Sequence, residues 1–355
     1  MRKSGSTAVF AAVPVTGLIP FLLLAAVPLA YRVAEPLPCL VVPGFLAVFL
    51  ALDILFGYDT ANPARAEDPR EESALLFRLP VWAYIPVQLG TIAWGLATVS
   101  RSTSLVGLIG LAIATGAAAG IFGMLAAHEM IHSRRRAERA LGLAMLAGVG
   151  YMHFRISHLH GHHRYAGTER DPATARQGET AYRFIWRSVT GQVAEAWRFE
   201  RQRLARRRWP LLGNRMVGYA LVIAAIDLSV LGLLGPRAFA FQLMQSIAAI
   251  FILELFNYIA HYGLLRRPRP DGRLEPFGRQ HSWNARPRFN NWALFNGGHH
   301  ADHHRQPTAP YQDLRLDPAA PELPFGFAGS ILLALFPPIW RRIMDPKVER
   351  WQALS

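Results

Sequence analysis

The chain is poor in cysteine, poor in charge, and has no histidine in its first 127 residues. Its single cysteine, Cys39, excludes a disulfide framework, a cysteine-ligated zinc or iron–sulfur site and a CxxC redox pair. Only 17% of the 355 side chains are charged, where about a quarter is usual for a soluble domain. Apolar residues make up 52% and are bunched into long uncharged runs, with a mean hydropathy of +0.16. That pattern excludes disorder and an ordinary soluble core. No fixed-period repeat and no low-complexity tract is present. Basic residues outnumber acidic ones, 38 to 24, for a net charge of +14. In a membrane protein such an excess is explained first by topology, so no nucleic acid is implied.

Six stretches are long enough to cross a hydrocarbon core, which takes about 20 helical residues: 8–31, 38–57, 79–99, 104–127, 216–235 and 238–260. Their interiors contain no Lys or Arg. The first follows Arg2 and Lys3, but it exceeds a signal-peptide apolar region of about 7–15 residues and reads as a span. With the amino terminus inside, the outer segments hold only Arg32, Arg101 and Arg237 as basic residues, leaving 35 of the 38 Lys and Arg on the cytoplasmic side. The positive-inside rule favours this orientation. The expected fold class is therefore an all-α integral membrane protein with six transmembrane helices and a cytoplasmic histidine-rich cap. It forms a single membrane-embedded catalytic domain over 1–355, with the polar segments 58–78, 128–215 and 261–355 in the cytoplasm. The apolar stretch 140–152 is too short to span and reads as re-entrant or interfacial; 328–340, broken by Pro337 and Pro338, reads as interfacial. The Arg- and Trp-rich segment 183–209, with the run RQRLARRRW, reads as a basic helix on anionic headgroups. A docking surface for an acidic partner is compatible with that.

All 13 histidines lie between His128 and His304, mostly in four clusters. HEMIH (128–132) places His128 and His132 on one helical face. The same pattern is the zinc-protease signature, in which Glu129 would be the general base. SHLHGHHRY contributes His158, His160, His162 and His163; FNYIAHYGLL contributes His261; GGHHADHH contributes His299, His300, His303 and His304. All four clusters fall on the cytoplasmic side of the expected topology. One zinc takes four ligands and cannot absorb so many imidazoles. Imidazole suits zinc, copper, iron and nickel alike. The number of ligands favours two ions with four or five nitrogens each, and redox iron with O2 over hydrolytic zinc.

The order HExxH, HxxxHH, NYxxHYGL and HxDHH resembles the membrane-bound alkane 1-monooxygenases, a branch of the histidine-rich membrane desaturases and hydroxylases. LDILFGYDTANP (52–63), DPATARQGE (171–179) and RRPRPDGRLEPFGRQHSWN (266–284) are similar to further segments of that family. The resemblance implies two non-haem iron ions held by His128, His132, His158, His162, His163, His261, His300, His303 and His304. It implies Glu129, Asp171 and Asp302 as carboxylates that hold ring tautomers by accepting the distal N–H. His153, His160, His281 and His299 are left as non-ligands. The chain departs from the family in three places: Ser157 and Ala260 stand where it has Glu, and Gly297-Gly298-His299 replaces Leu-Gln-Arg.

The activity implied is O2-dependent terminal hydroxylation, RCH3 + O2 + 2e⁻ + 2H⁺ → RCH2OH + H2O, on a lipid-soluble alkyl chain. Electrons come from a separate rubredoxin or ferredoxin with its reductase, because a rubredoxin within this chain would need four cysteines. The implied setting is a bacterial inner membrane with both termini and the histidine boxes cytoplasmic. The alternatives are a desaturase or a hydroxylase of a fatty acyl, aromatic methyl or terpenoid substrate. More remote are an intramembrane zinc protease and a metal transporter, whose site would lie near the midplane.

Overall fold

The computed structural model describes residues 16–59, 62, 71–208, 210 and 213–354. Among them the chain is helical, without strands and with only isolated bridge pairs such as Tyr58 with Pro287. The apolar runs become α1 (Ile19–Val33), α2 (Pro38–Phe56), α3 (Glu71–Val99), α4 (Leu105–His132) and the 47-residue α8 (Arg215–His261). Helices α2, α4, α8 and the Leu75–Val99 part of α3 are long and apolar enough to cross a membrane, whereas α1 has 15 residues. Residues 8–15 of the expected first span lie outside the described residues. Helix α3 begins eight residues before the expected 79. At about 1.5 Å per residue α8 would be roughly 70 Å long, over twice a hydrocarbon core. It is two arms broken at Gly235, where φ is +83°, a conformation glycine adopts without steric cost. The break falls between the two stretches expected to span separately.

Both ends of that break are placed by contacts. Arg237 donates to the Ser104 carbonyl at 2.8 Å, and Ser102 donates to Glu35 at 3.1 Å, so the three expected outer connections gather at one end. At the other end Met216 packs with Ile156 and Ala196, and His261 enters the histidine cluster. Helix α4 meets the second arm of α8 through Gly116 and Gly120. A Cβ on Gly116 would lie 2.4 Å from the Gln245 carbonyl oxygen, and one on Gly120 would lie 2.8 Å from that of Ala249. Small residues at a four-residue spacing let the two backbones touch, the usual solution where lipid gives no hydrophobic drive for helix association.

Helix α5 (Arg136–Gly148) turns back along α4. Its last carbonyl, on Gly148, accepts from Gln242 at 3.0 Å and Gln245 at 2.9 Å. These glutamines satisfy a helix-end carbonyl that would otherwise be orphaned among apolar neighbours. The stretch 140–152 thus folds back along α4, and its end reaches Gln242 and Gln245 in α8's second arm. The cap follows: α6, built from Phe154–Ser157, the wider turn His158–His162 and His163–Tyr165; α7 (Ala181–Arg207); α9 (Arg288–Ala293); α10 (His300–Arg305); α11 (Gly326–Ala334); and α12 (Pro337–Leu354). The expected apolar stretch 328–340 is divided between α11 and α12. Helix α7 covers most of 183–209, with Trp209 outside the described residues. Its outward face carries Tyr182, Trp186, Val193 and Trp197 with several arginines, while Phe184, Gln192, Glu195 and Leu204 point inward.

The α4–α8 contact makes a direct test. Gly116→Ala is expected to lower the apparent Tm in detergent by several degrees, an overpacking cost of about 1–3 kcal/mol. Gly44→Ala, whose Cβ would meet open space, is expected to leave it unchanged.

Candidate metal centre

Four helices deliver histidines to one place. His128 and His132 stand on the last two turns of α4, His158, His162 and His163 on α6, His261 at the end of α8, and His300, His303 and His304 on α10. They form two adjoining groups, His128/His132/His158/His163/His303 and His162/His261/His300/His304, and within each the ligand atoms lie within 4.8 Å of one another. The local backbone of α6 makes this division. In a regular α-helix His158 and His163 would point about 140° apart. The i→i+5 turn at His158–His162 brings residues five apart onto one side, so His158 and His163 enter the first group and His162 the second.

Nitrogen faces nitrogen throughout. The Nε2 atoms of His132, His158 and His163 lie 2.9–3.1 Å apart pairwise, and His303 Nε2 is 3.3 Å from that of His163. In the second group His300 Nε2 is 3.2 Å from both His261 Nε2 and His304 Nε2. A neutral imidazole has one N–H, so a triangle of Nε2 atoms leaves lone pairs opposed. The buried Nε2 of His162 has no hydrogen-bond partner, and His304 Nδ1 and His163 Nδ1 are likewise unpaired. Burial, then the neighbouring rings, holds His158, His163, His300, His303 and His304 well below the usual imidazole range, hence neutral. Neutral rings with converging lone pairs in a desolvated pocket are the donor set of a transition-metal site, and these residues fit one.

The carboxylates divide. Asp171 accepts from His162 Nδ1 at 2.8 Å and from Thr174 Oγ1 at 2.7 Å, which leaves His162 Nε2 free as a donor to a metal. Glu129 and Asp302 do not hold rings. Glu129 accepts the Tyr311 N–H at 3.2 Å, and Asp302 accepts the Arg315 N–H at 3.0 Å, so both anchor the loop after α10. His261 Nδ1 is held by the His281 carbonyl at 3.3 Å.

His153, His160, His281 and His299 lie outside both groups. His299 donates to the Leu314 carbonyl at 3.1 Å, and His281 donates to Glu275 at 2.9 Å. At the departures, Ser157 bonds Gln192 at 3.2 Å, and the Ala260 carbonyl accepts the Trp283 N–H at 2.8 Å. Gly298 has no room for a side chain, since a Cβ would lie 2.0 Å from Asn291 Oδ1.

Some residues at the site went unnoticed in the sequence. Glu254 is buried in α8 and accepts from Tyr151 and Gln192, both at 2.9 Å. An acidic residue inside an apolar span is itself a signal. Glu195 is buried against Gly161. Its signal was the recurrence of Ser188, Gln192, Glu195 and Glu200 on the same α7 stripe as Phe184 and Leu204. Beside the first group opens an apolar pocket lined by Leu125, Phe154, Leu253, Phe256 and Leu314, with His128, His158, His300 and His303 in its wall.

Apolar helices and nine converging imidazoles, five buried and four half-buried, define a membrane-embedded metalloenzyme. The model of the fatty acid desaturase family matches residues 102–323. The chain is 36% identical to alkane 1-monooxygenase 1 of Pseudomonas aeruginosa over 85% of this chain and 80% of that one. It is 36% identical to the alkane 1-monooxygenase of Ectopseudomonas oleovorans over 84% and 75%, and 29% identical to the xylene/toluene monooxygenase hydroxylase component XylM of Pseudomonas putida over 65% and 62%. The chain belongs to the alkane 1-monooxygenase family, as a divergent member.

Two outcomes are expected. Asp171→Asn weakens metal retention by about 10–100-fold, read as metal per chain after dialysis against chelator. Burial, then the Asp171 charge, pushes the Glu195 carboxyl up to about 7. Its folded pKa exceeds that of a free Glu (~4.3), so deprotonation lowers stability as pH rises through 7. Glu195→Gln therefore raises Tm at pH 8 and matches the wild type near pH 5. A Tm shift equal at both pH values would contradict this.

Proposed function

We propose that the chain performs O2-dependent terminal hydroxylation of an alkyl chain, RCH3 to RCH2OH. The observation that carries this is the convergence of five plus four imidazoles beside an apolar pocket, with His128, His158, His300 and His303 in its wall. The nine histidines hold two iron ions, which supply redox activation of O2 when bound. The pocket side chains Phe154, Leu253 and Phe256 take the alkyl chain out of water and direct its methyl end toward His128 and His303. Asp171 fixes the tautomer of His162. The domain is a single catalytic unit with six membrane crossings, two of them from α8, and with segments 128–215 and 261–355 and both termini in the cytoplasm of a bacterial inner membrane.

Two electrons per turnover come from a separate acidic carrier, a rubredoxin or ferredoxin with its reductase, attracted by the Arg-rich cap. A second reading, hydroxylation of an aromatic methyl group, is favoured by the likeness to the xylene/toluene component. The identity and coverage are greater for the alkane enzymes.

Protein supplied with ¹⁸O2, dodecane, rubredoxin and reductase is expected to yield 1-dodecanol carrying one ¹⁸O. No alkanol, with p-xylene converted to its benzylic alcohol, would transfer the assignment to the second reading. At limiting carrier, turnover is expected to fall as salt rises; a flat response would remove the electrostatic docking.

A further inference from the structure

A second cavity lies on the other side of the same helix end. It encloses about 360 Å3 and is lined by Arg78, Ser133, Arg134 and Glu138 together with His132 and the 308–312 loop. Its rim is exposed at Arg134, Arg135 and Thr308, and its inner wall is formed by buried Met130 and Tyr311. A volume of that size holds on the order of ten waters. Most side chains lining this cleft are charged or polar, and it is the more polar of the two cavities; the pocket beside His128, His158, His300 and His303 is mostly apolar. The two cavities share two lining residues, Glu129 and Tyr311. These are joined by the Tyr311 N–H to Glu129 Oε1 bond at 3.2 Å. Tyr311 is held on its far side as well: its hydroxyl donates to the Phe77 carbonyl at 2.9 Å, and its ring packs edge-on to Phe295 at 5.4 Å.

We propose that the polar cleft is the aqueous entrance to the metal centre, and that Tyr311 with Glu129 is the partition that keeps its water out of the alkyl pocket. The inference rests on the hydroxylase reading only for its purpose. Each turnover consumes two protons, and a pocket walled by leucine and phenylalanine cannot deliver them. Water in that pocket would also compete with the alkyl chain for the site. The cleft brings water as far as His132, a member of the five-histidine group. The partition lets the same centre face water on one side and hydrocarbon on the other.

Two methionines report on the two sides. Met130 lines the polar cleft and Met124 lines the apolar pocket, and both side chains are buried, at 2% and 0% exposure. Hydroxyl-radical footprinting of the full-length protein in lipid nanodiscs, read by mass spectrometry, is expected to oxidise Met130 at least fivefold faster than Met124. Thr308→Trp, at the exposed rim, is expected to slow Met130 oxidation severalfold. Tyr311→Ala is expected to raise Met124 oxidation toward that of Met130, with helix content checked by circular dichroism. Equal rates for the two methionines in the wild-type protein would overturn the proposal, as would continued protection of Met124 in a folded Tyr311→Ala. A Tyr311→Ala that fails to fold passes the test to Tyr311→Leu, read the same way. Footprinting needs no substrate, so these failures leave the hydroxylase reading intact. Labelled Met130 without any oxygenated product would sink the hydroxylase reading alone.

Discussion

Nitrogen lone pairs pointed at one another inside a buried cavity are the constraint on which this structure depends. Rings whose Nε2 atoms approach to 2.9–3.3 Å cannot all be paired by their own protons. Positive charge between them relieves the repulsion, and added ring protons are no alternative at His158, His163 and His303, which burial holds neutral. Helices α4, α6, α8 and α10 are distant in sequence, and each contributes to the cluster. The tight Gly116/Gly120 seam and the glutamines that receive the end of α5 hold α4 and α8 in the register this convergence needs.

Around that centre the polar groups do different jobs. Asp171 acts on a ring directly. Glu129 and Asp302 act one step further out, fixing the loop that carries Tyr311 and Arg315. Before two of the histidine motifs, where the family resemblance implies Glu, this chain has Ser157 and Ala260. Ser157 instead enters a buried chain through Gln192 to Glu254 and Tyr151. Glu254 of α8 is thus linked to the second box, with Gln192 of α7 as the bridge. All nine histidines stand in the two groups.

The apolar helices and the histidine boxes were legible in the sequence because both signals are one-dimensional: hydropathy runs mark apolar helices, and residues four apart share a helical face. The separation of 216–235 from 238–260, which the structure realises as the two arms of α8, was legible for the same reason. The division into five and four was not legible. It depends on a wide turn at His158–His162 that rotates His163 onto the His158 side, and helical spacing alone would have paired His158 with His162. The depth reached by α5 also escaped, because only the tertiary contacts of Gln242 and Gln245 define it. The family resemblance implied Glu129 as a ring partner. A residue one position along a helix points about 100° away, and there it meets the Tyr311 backbone.

The proposed chemistry needs two redox metal ions held by these nine imidazoles. Elemental analysis of the purified full-length protein, run with Mössbauer spectroscopy on ⁵⁷Fe-grown material, decides whether they are there. About two iron atoms per chain in a nitrogen-rich, non-haem environment are expected. One zinc per chain, with iron absent, would contradict that chemistry and return the HEMIH helix to a hydrolytic reading.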